Sequence, residues 1–234
     1  RQGCQLLSAR CLPETQSTAL YPILDLLRDE LELRDTSIEL AAAKVNQFLV
    51  EQGLEQAPGV HSLYEWLDLP TDSAVELMLS PKKRRDQLLA LLAQVIGRLC
   101  PHPSVLFVED IHWADPTTIE WIRLLLSDEQ THRPLVTCTL RQDADESSAG
   151  SKKGLLDEVL SAPTTQVVSR GPLSEESAYG LMTRLWGGHT NTTLVVERAA
   201  GVPFFLLEMV RCGVAESDTA VPSSIAELLR IRLE

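Results

Sequence analysis

The stretch Ser104–Pro116, Ser-Val-Leu-Phe-Val-Glu-Asp-Ile-His-Trp-Ala-Asp-Pro, constrains the fold of this chain most strongly. Its apolar run, Val105 to Val108, consists of strand-forming residues without alternation, which favours a parallel strand covered on both faces. Glu109 and Asp110 follow directly, at the end of the strand where open α/β sheets bind their ligands. Two adjacent carboxylates there suit a magnesium ion beside a phosphate. A strand that merely ends in solvated acids is the alternative on these two residues alone.

Strand and helix signals alternate around this stretch, which predicts a parallel sheet with crossover helices. Besides the central strand, we predict strands at Cys4–Arg10, Leu135–Leu140 and Gln166–Ser169. Helices are predicted at Leu20–Glu32, Ile38–Glu51, Arg84–Leu99, Pro116–Leu126 and Gly154–Leu160, with short helices broken at Pro70 between His61 and Leu79. Trp66 is expected in the core, and the polar run Asp143–Lys153 is expected to be a loop.

From Pro172 onward the sequence predicts helices only. Ser174 is a predicted cap for a helix that ends near Leu185, and further helices are expected at Thr192–Arg198 and Phe204–Arg211. Ser224 to Glu227 form a capping box that opens a last helix. The chain therefore predicts a second, all-helical part after the α/β part.

Composition excludes several classes of protein. The 234 residues contain 21 basic and 33 acidic side chains, and the formal charge of -12 opposes direct binding to nucleic acid or to an anionic membrane. The basic run Lys82-Lys83-Arg84-Arg85 is accordingly predicted to be a solvated helix start. No apolar run approaches the roughly 18 residues that a membrane helix needs. The five cysteines lack a Cys-x-x-Cys pair and predict reduced, buried thiols of a cytoplasmic protein.

The block Glu-Asp-Ile-His-Trp-Ala-Asp-Pro, followed by a strand that ends at Arg141, resembles the STAND class of AAA-like NTPases. The similarity is greatest to the origin-recognition-like ATPase modules attached to adenylate cyclases and transcription regulators. Further matching stretches, in the family's order, are Arg10-Cys11, Pro172-Leu-Ser, Gly201-Val-Pro-Phe and Val221-Pro-Ser-Ser-Ile. The resemblance implies a P-loop-NTPase-like α/β core over residues 1–171, a helical lid over 172–214 and the start of a winged-helix region over 215–234.

The resemblance also implies the roles of single residues. Glu109 and Asp110 would be the Walker B acids: one would hold the magnesium-bound water and the other would orient or deprotonate the attacking water, and which does which stays open. Arg141 would detect the terminal phosphate of ATP, with a surface or helix-capping arginine as the alternative. Gly201 and Pro203 correspond to the family's Gly-x-Pro motif beside the adenine base; without the family they are a turn between helices.

Three neighbouring residues of the block have predicted roles as well. His112 and Trp113 are predicted to be a packed pair that steers the Glu-Asp turn, rather than catalytic residues. Asp115, which precedes Pro116, is predicted to be a helix N-cap.

The chain departs from the family at one motif, because no Gly-x-x-x-x-Gly-Lys phosphate-binding loop and no Gly-Lys pair occurs in it. The family order would place that loop and its central strand before Arg1, and residue 1 is not methionine, so we expect a segment of a longer protein. Without the central strand, these residues are expected to fold poorly or with an open sheet and to bind ATP weakly. Two functions remain: part of an ATP- and Mg²⁺-dependent signalling switch that acts on an effector domain in the same chain or on a partner protein, or a nucleotide-independent scaffold.

Overall fold

The computed structural model describes residues 4–71, 79–100, 103–127, 134–141, 151–186, 192–211 and 230. The chain divides into two compact units, Arg1–Gln166 and Val167–Glu234. The first unit is mixed α/β, and the described part of the second is helical.

The first unit contains three strands and six helices among its described residues. In chain order they are β1 (Gln5–Arg10), α1 (Tyr21–Glu30), α2 (Ile38–Glu51), α3 (Val60–Trp66), α4 (Pro81–Leu99), β2 (Ser104–Glu109), α5 (Pro116–Ser127), β3 (Leu135–Cys138) and α6 (Ser151–Ser161). Single 3₁₀ turns lie at Pro13–Thr15 and Ile111–Trp113.

The three strands form one parallel sheet in the order β1-β2-β3. Gln5 lies opposite Ser104 and Arg10 opposite Glu109, while Val105 lies opposite Leu135. Helices α1 to α4 connect β1 to β2, and α5 connects β2 to β3. The predicted parallel sheet with crossover helices is therefore confirmed for these strands, and β2 is the central one.

Among the described residues, only one face of this sheet is tightly covered. Leu7, Ala9, Leu106 and Val108 are at most 2% exposed and join a core shared with α1, α4 and α5. On the opposite face Leu6 is 62% and Leu135 is 67% exposed, and Val105 and Phe107 are half-buried. Among the described residues, β2 is therefore buried on one face and only half-buried on the other, rather than covered on both as its apolar run predicts. The apolar run that begins at Leu135 also suggests a buried strand, but β3 is mostly exposed.

Helix starts follow their capping residues. Ser37 Oγ accepts a hydrogen bond from Leu40 N at the start of α2, and Ser80 Oγ accepts one from Lys83 N at the start of α4. Helix α4 therefore begins at Pro81, three residues before the predicted start, because Ser80 provides the cap and Pro81 suits the first turn. Lys82 and Lys83 are exposed as predicted, whereas Arg85 pairs with Glu120 of α5.

Two predictions about burial are corrected. Trp66, expected in the core, is 37% exposed because it ends the short helix α3 at the surface. Cys11 and Cys100 are buried free thiols, but Cys4 and Cys138 are exposed; Cys212 lies outside the described residues.

The second unit contains α7 (Glu175–Trp186), α8 (Thr192–Ala199) and α9 (Pro203–Arg211). The three helices pack against one another around a separate small core, whose members are Ala178, Met182, Val195, Val196, Ala199, Phe205, Leu206 and Met209. Ser174 Oγ accepts a hydrogen bond from Ser177 N and caps α7, as predicted.

The strand predicted at Gln166–Ser169 is absent. These residues have no regular structure, and Val167 and Val168 are 62% and 60% exposed. Two adjacent valines favour an extended backbone, but a strand also needs a hydrogen-bonded neighbour.

Several predictions lie outside the described residues. They are residues 72–78 of the predicted short helices, residues 143–150 of the loop predicted at Asp143–Lys153 and, except for Arg230, the region 215–234 with its capping box. The last three residues of that predicted loop are helical, because α6 begins at Ser151 rather than at Gly154. In the described part of the chain, no helix combines the length and the apolar character that crossing a membrane requires.

Leu7 and Leu6 are adjacent in β1 and lie on opposite faces, so they form a matched pair for testing the sheet. We expect Leu7→Ala to lower the free energy of unfolding by about 2–5 kcal/mol, because it leaves a cavity in a packed core. Leu6→Ala should change it by less than about 0.5 kcal/mol, because Leu6 is mostly in solvent. Urea unfolding followed by tryptophan fluorescence measures both values; equal losses would contradict the one-sided packing.

Candidate functional site

Glu109 and Asp110 lie at the carboxyl edge of the sheet, where β2 ends. The carbonyl oxygen of Glu109 accepts a hydrogen bond from Cys11 N at 3.0 Å, which extends the β1–β2 pairing to this point. Asp110 leaves the strand in a left-handed conformation with φ 54°. For a non-glycine residue this costs about 1 kcal/mol, and aspartate is among the residues that tolerate it best. The two carboxylates are about one third exposed, at 39% for Glu109 and 33% for Asp110.

Arg10 is paired with Glu109 across the sheet. It is the last residue of β1, it lies opposite Glu109 in the register, and its Nε is 3.6 Å from Glu109 Oε2. Both side chains are substantially exposed, so the pair contributes little to stability. The pair matters locally, because the positive charge of Arg10 on the neighbouring strand balances the negative charge of Glu109.

The turn that carries Asp110 is held from the β3 side by Thr139. Thr139 Oγ1 accepts a hydrogen bond from Asp110 N at 2.8 Å, and the carbonyl oxygen of Thr139 accepts one from Ile111 N at 2.9 Å. Thr139 N in turn donates to the carbonyl oxygen of Val108. Trp113 N donates to the carbonyl oxygen of Asp110 and closes the 3₁₀ turn. The backbone of the acid turn, defined as residues 109–113, is therefore fixed although its carboxylates face solvent.

His112 is buried in this turn. Its side chain is 2% exposed, and its ring is 4.9 Å from the Trp113 ring, measured between centroids. The predicted packed pair of His112 and Trp113 is confirmed by this contact. Neither ring nitrogen has a hydrogen-bond partner among the described residues, and Nδ1 is 3.9 Å from Asp110 Oδ1. Burial lowers the pKa of His112, the Asp110 charge opposes that shift, and the charges of Arg141 and Lys152 add to it.

Asp115 connects the end of the acid turn to two helices. It is buried, and its carboxylate accepts hydrogen bonds from Thr117 N, Thr118 N and Thr118 Oγ1 at the start of α5. It also accepts one from Leu20 N at 3.1 Å, directly before α1. The predicted N-cap is confirmed, and the bond to Leu20 adds a tertiary contact that the sequence did not indicate.

Arg141 follows β3 by three residues and is exposed. Because β3 runs parallel to β2, the end of β3 that precedes Arg141 lies at the same edge of the sheet as the acid turn. Of the five predicted site residues, Glu109, Asp110 and Arg141 thus follow the carboxyl ends of two neighbouring strands.

Gly201 and Pro203 belong to the second unit, in the turn between α8 and α9. Gly201 has φ 73°, and a Cβ atom added to it would lie 2.5 Å from the carbonyl oxygen of Leu173. Leu173 N also donates to the carbonyl oxygen of Gly201 at 2.8 Å. Glycine is thus required here by backbone conformation and by close approach. Pro203 is exposed and is the first residue of α9, a position that suits proline.

The acid turn has few metal-binding side chains around it. The described residues contain no group of three or more histidine, cysteine, aspartate or glutamate side chains that could hold a metal ion. A cleft of about 400 Å³ lies elsewhere in the first unit, lined among others by Trp66, Arg84 and Arg85, and neither acid borders it. Glu109 and Asp110 are thus partly exposed acids at the edge of the sheet.

Sequence reasoning missed three residues that contact the acid turn. Arg10 could have been found from the sequence, because it ends a strand that was predicted to lie in the same parallel sheet as β2. Lys152, which donates to the carbonyl oxygen of His112 at 2.7 Å, comes from a polar run that gave no such signal. Thr139 gave none either, because its role depends on the exact place where β3 ends.

The comparisons with known proteins identify no family for this chain. No protein family matches the chain, and no solved structure matches it. An uncharacterized protein of Rhizobium meliloti (strain 1021) is 28% identical over 115 residues. The aligned stretch covers 49% of this chain and 11% of that protein, so the chain spans only a small part of the relative's length.

Removal of the Asp115 carboxylate tests its structural role. We expect Asp115→Ala to lower the free energy of unfolding by about 2–4 kcal/mol, because it leaves buried donors of two helices without an acceptor. Asp115→Asn should lose less, since one oxygen remains. Ser37→Ala, which removes a single exposed cap, serves as the control at about 1 kcal/mol. Urea unfolding is the measurement, and an Asp115→Ala loss no larger than that of the control would contradict the role.

Cys11 provides a pH-dependent test. Burial, then the nearby Cys138, Asp115 and Asp110, raise the pKa of Cys11 to about 12. At pH 8 roughly one molecule in 10⁴ would carry the Cys11 thiolate, against roughly a quarter for a thiol near its ordinary pKa of 8.5. We therefore expect iodoacetamide to modify exposed Cys4 at least about a thousandfold faster than Cys11, as measured by peptide mass spectrometry.

The raised pKa also fixes the direction of an effect on stability. The folded chain favours the protonated thiol, so this contribution is present below the pKa of the unfolded thiol and is lost as the pH rises towards 12. Cys11→Ala should flatten the loss of stability above pH 9. Rapid alkylation of Cys11 at pH 8 in the folded chain would contradict both expectations.

Proposed function

We propose that this chain is the Walker B, sensor and lid portion of an ATP-binding regulatory NTPase that works as a signalling switch. The observation that carries the proposal is the edge of the parallel sheet at which β2 delivers two adjacent carboxylates and the segment after β3 delivers Arg141. Acids that position metal and water, next to a cation that detects phosphate, are what phosphoryl transfer requires.

The finer fold belongs to the same proposal. A P-loop-NTPase-like core needs a central strand that bears the phosphate-binding loop, and the far edge of β3 is unpaired among the described residues. A further strand beside β3 would pair with that edge, and we propose that the P-loop strand takes this place. The three-helix second unit would be the lid, and residues 215–234 would begin the winged-helix region.

The acid turn fits a magnesium ion in its donor chemistry. Mg²⁺ takes one or two carboxylates and fills its other positions with waters and substrate phosphates, so a group of three protein ligands is not needed. Glu109 and Asp110 provide two partly exposed carboxylates on a fixed backbone. When bound, the ion would neutralise the developing charge on the phosphates.

The protein's own groups would orient the reactants. One of the two acids would hold a metal-bound water, and the other would accept a hydrogen bond from the water that attacks the terminal phosphate and then its proton. Arg10, at 3.6 Å from Glu109, would have to be displaced or shared when Glu109 takes up either role. Arg141 is exposed and can approach the terminal phosphate as a charged fork.

The Gly-x-Pro motif of Gly201 and Pro203 is the part of the second unit that enters the proposal. The Gly201 turn brings the backbone close to Leu173 and starts α9 at Pro203, which exposes the proline ring. We propose that this ring packs beside the adenine base. ATP and ADP would then set the state of an effector domain in the same longer chain or of a partner protein.

A nucleotide-independent scaffold is the second candidate. Two observations favour it: the 234 residues contain no phosphate-binding loop, and Arg10 already pairs with Glu109. The first proposal is preferred because two partly exposed carboxylates stand at the end of the central strand, on a backbone held by Thr139, an arrangement that phosphoryl transfer uses and a scaffold does not require.

The decisive test uses the longer protein expected to carry this chain. Glu109→Gln and Asp110→Asn should each lower kcat for ATP hydrolysis by roughly a hundredfold or more, because each removes a charge that acts in the transition state. Binding of a fluorescent ATP analogue should change much less. Asp157→Asn, an exposed acid of α6, is the control and should hydrolyse ATP like the parent.

Unchanged hydrolysis and unchanged signalling output in both variants would exclude the ATPase proposal. Nucleotide-dependent signalling with neither binding nor hydrolysis affected would place the site elsewhere in the protein. Retained signalling output in a protein that does not bind ATP at all would instead favour the scaffold.

A further inference from the structure

Lys152 reaches from α6 to the acid turn. It lies in the first turn of that helix, and its Nζ donates a hydrogen bond to the carbonyl oxygen of His112 at 2.7 Å. The two residues are 40 positions apart in sequence. The bond therefore ties the acid turn to helix α6, a different element from the one that holds Thr139.

The environment of this ammonium group is unusual for a lysine. Lys152 is half-buried, and burial lowers its pKa while the nearby Cys11 and Asp115 act against that shift. No carboxylate of the described residues lies within ion-pair distance of Nζ. The charge is instead directed to a backbone carbonyl, and a charge-assisted hydrogen bond in a partly dry site is stronger than its neutral counterpart.

Helix α6 can hold Lys152 in place because its own position is fixed. Leu156 and Val159 are 3% and 7% exposed and belong to the main core, and α6 packs against α5. On the same helix, Glu158 pairs with Arg123 of α5. A lysine on this helix is thus a fixed point for the turn, whereas its neighbour Lys153 is exposed.

The acid turn needs such a fixed point. Asp110 holds a left-handed backbone conformation that does not persist without support, and its carbonyl oxygen depends on Trp113 N for the closure of the turn. Thr139 binds the amide groups of Asp110 and Ile111. Lys152 binds the carbonyl group of His112. Two amide groups of the turn are therefore held by the residue that follows β3, and one carbonyl group is held by α6.

We propose that Lys152 is a positioning residue, which holds the acid turn in the conformation that presents the Asp110 carboxylate at the sheet edge. Its effect on catalysis rests on the proposed ATPase function; its effect on the turn does not. A lysine that only stabilised the fold would affect the whole unit equally.

The first experiment measures the turn itself, by hydrogen exchange and mass spectrometry on the longer protein. Lys152→Met, which keeps the apolar stem and removes the charge, should raise the exchange rate of the amides of residues 110–114 by about tenfold, because the turn opens more often. Amides of β1 should exchange as before. Lys153→Met is the matched control and should leave both segments unchanged, and Lys152→Arg should largely restore the slow exchange.

The second experiment separates binding from turnover in the same variants. Lys152→Met should lower kcat for Mg-ATP hydrolysis by about tenfold or more with KM within about threefold, because the loss falls on positioning rather than on nucleotide binding. Lys152→Arg should recover most of kcat. If Lys152→Met does not fold, Lys152→Gln takes its place in both experiments.

The outcomes separate the two proposals. Faster exchange confined to residues 110–114 supports the positioning role, whether or not the wild-type protein hydrolyses ATP. A wild-type protein that hydrolyses no ATP would contradict the ATPase proposal alone. Unchanged exchange in the turn, or an equal increase in β1 and in the turn, overturns the positioning role. Normal kcat in Lys152→Met, in a protein that does hydrolyse ATP, overturns its link to catalysis.

Discussion

The pairing of β2 with a parallel strand on each side is the constraint on which the first unit depends. Because all three strands run in the same direction, the segments that follow them emerge at one edge of the sheet. That geometry places Arg10 beside Glu109 and brings Thr139 to the backbone of Asp110. The residues come from positions far apart in sequence, and the sheet alone makes them neighbours.

Charge at this edge is balanced by groups of different kinds. Glu109 faces an exposed arginine, Arg10, whereas the buried Asp115 accepts hydrogen bonds from backbone and hydroxyl donors of two helices. The exposed pair can be rearranged at little cost, and the buried group cannot. The edge therefore combines a rigid support with acids that remain available for new partners.

Sequence patterns predicted the elements far better than their surroundings. Helix α2 occupies the predicted residues, and Asp115 caps α5, because both depend on local periodicity and capping chemistry. The patterns failed where burial depends on distant parts of the chain: Trp66 and Leu135 are apolar yet exposed, and Val167-Val168 has no partner strand. For the site, the acids and Arg141 were predictable from strand ends. Thr139 and Lys152 were not predictable. Each side chain binds a backbone group of the acid turn, and no pattern of residue types in the sequence indicates such a bond.

The unpaired edge of β3 has a consequence for how copies of the chain behave together. Among the described residues nothing pairs with that edge, and Leu135 beside it is 67% exposed, so it offers backbone hydrogen bonds and an apolar contact to any other extended strand. Where the proposed P-loop strand does not cover it, such an edge favours self-association at high concentration. The formal charge of -12 works against this, because like-charged copies repel over a Debye length of about 8 Å at physiological ionic strength. Salt shortens that range, so the colloidal stability of the chain should decline as ionic strength rises.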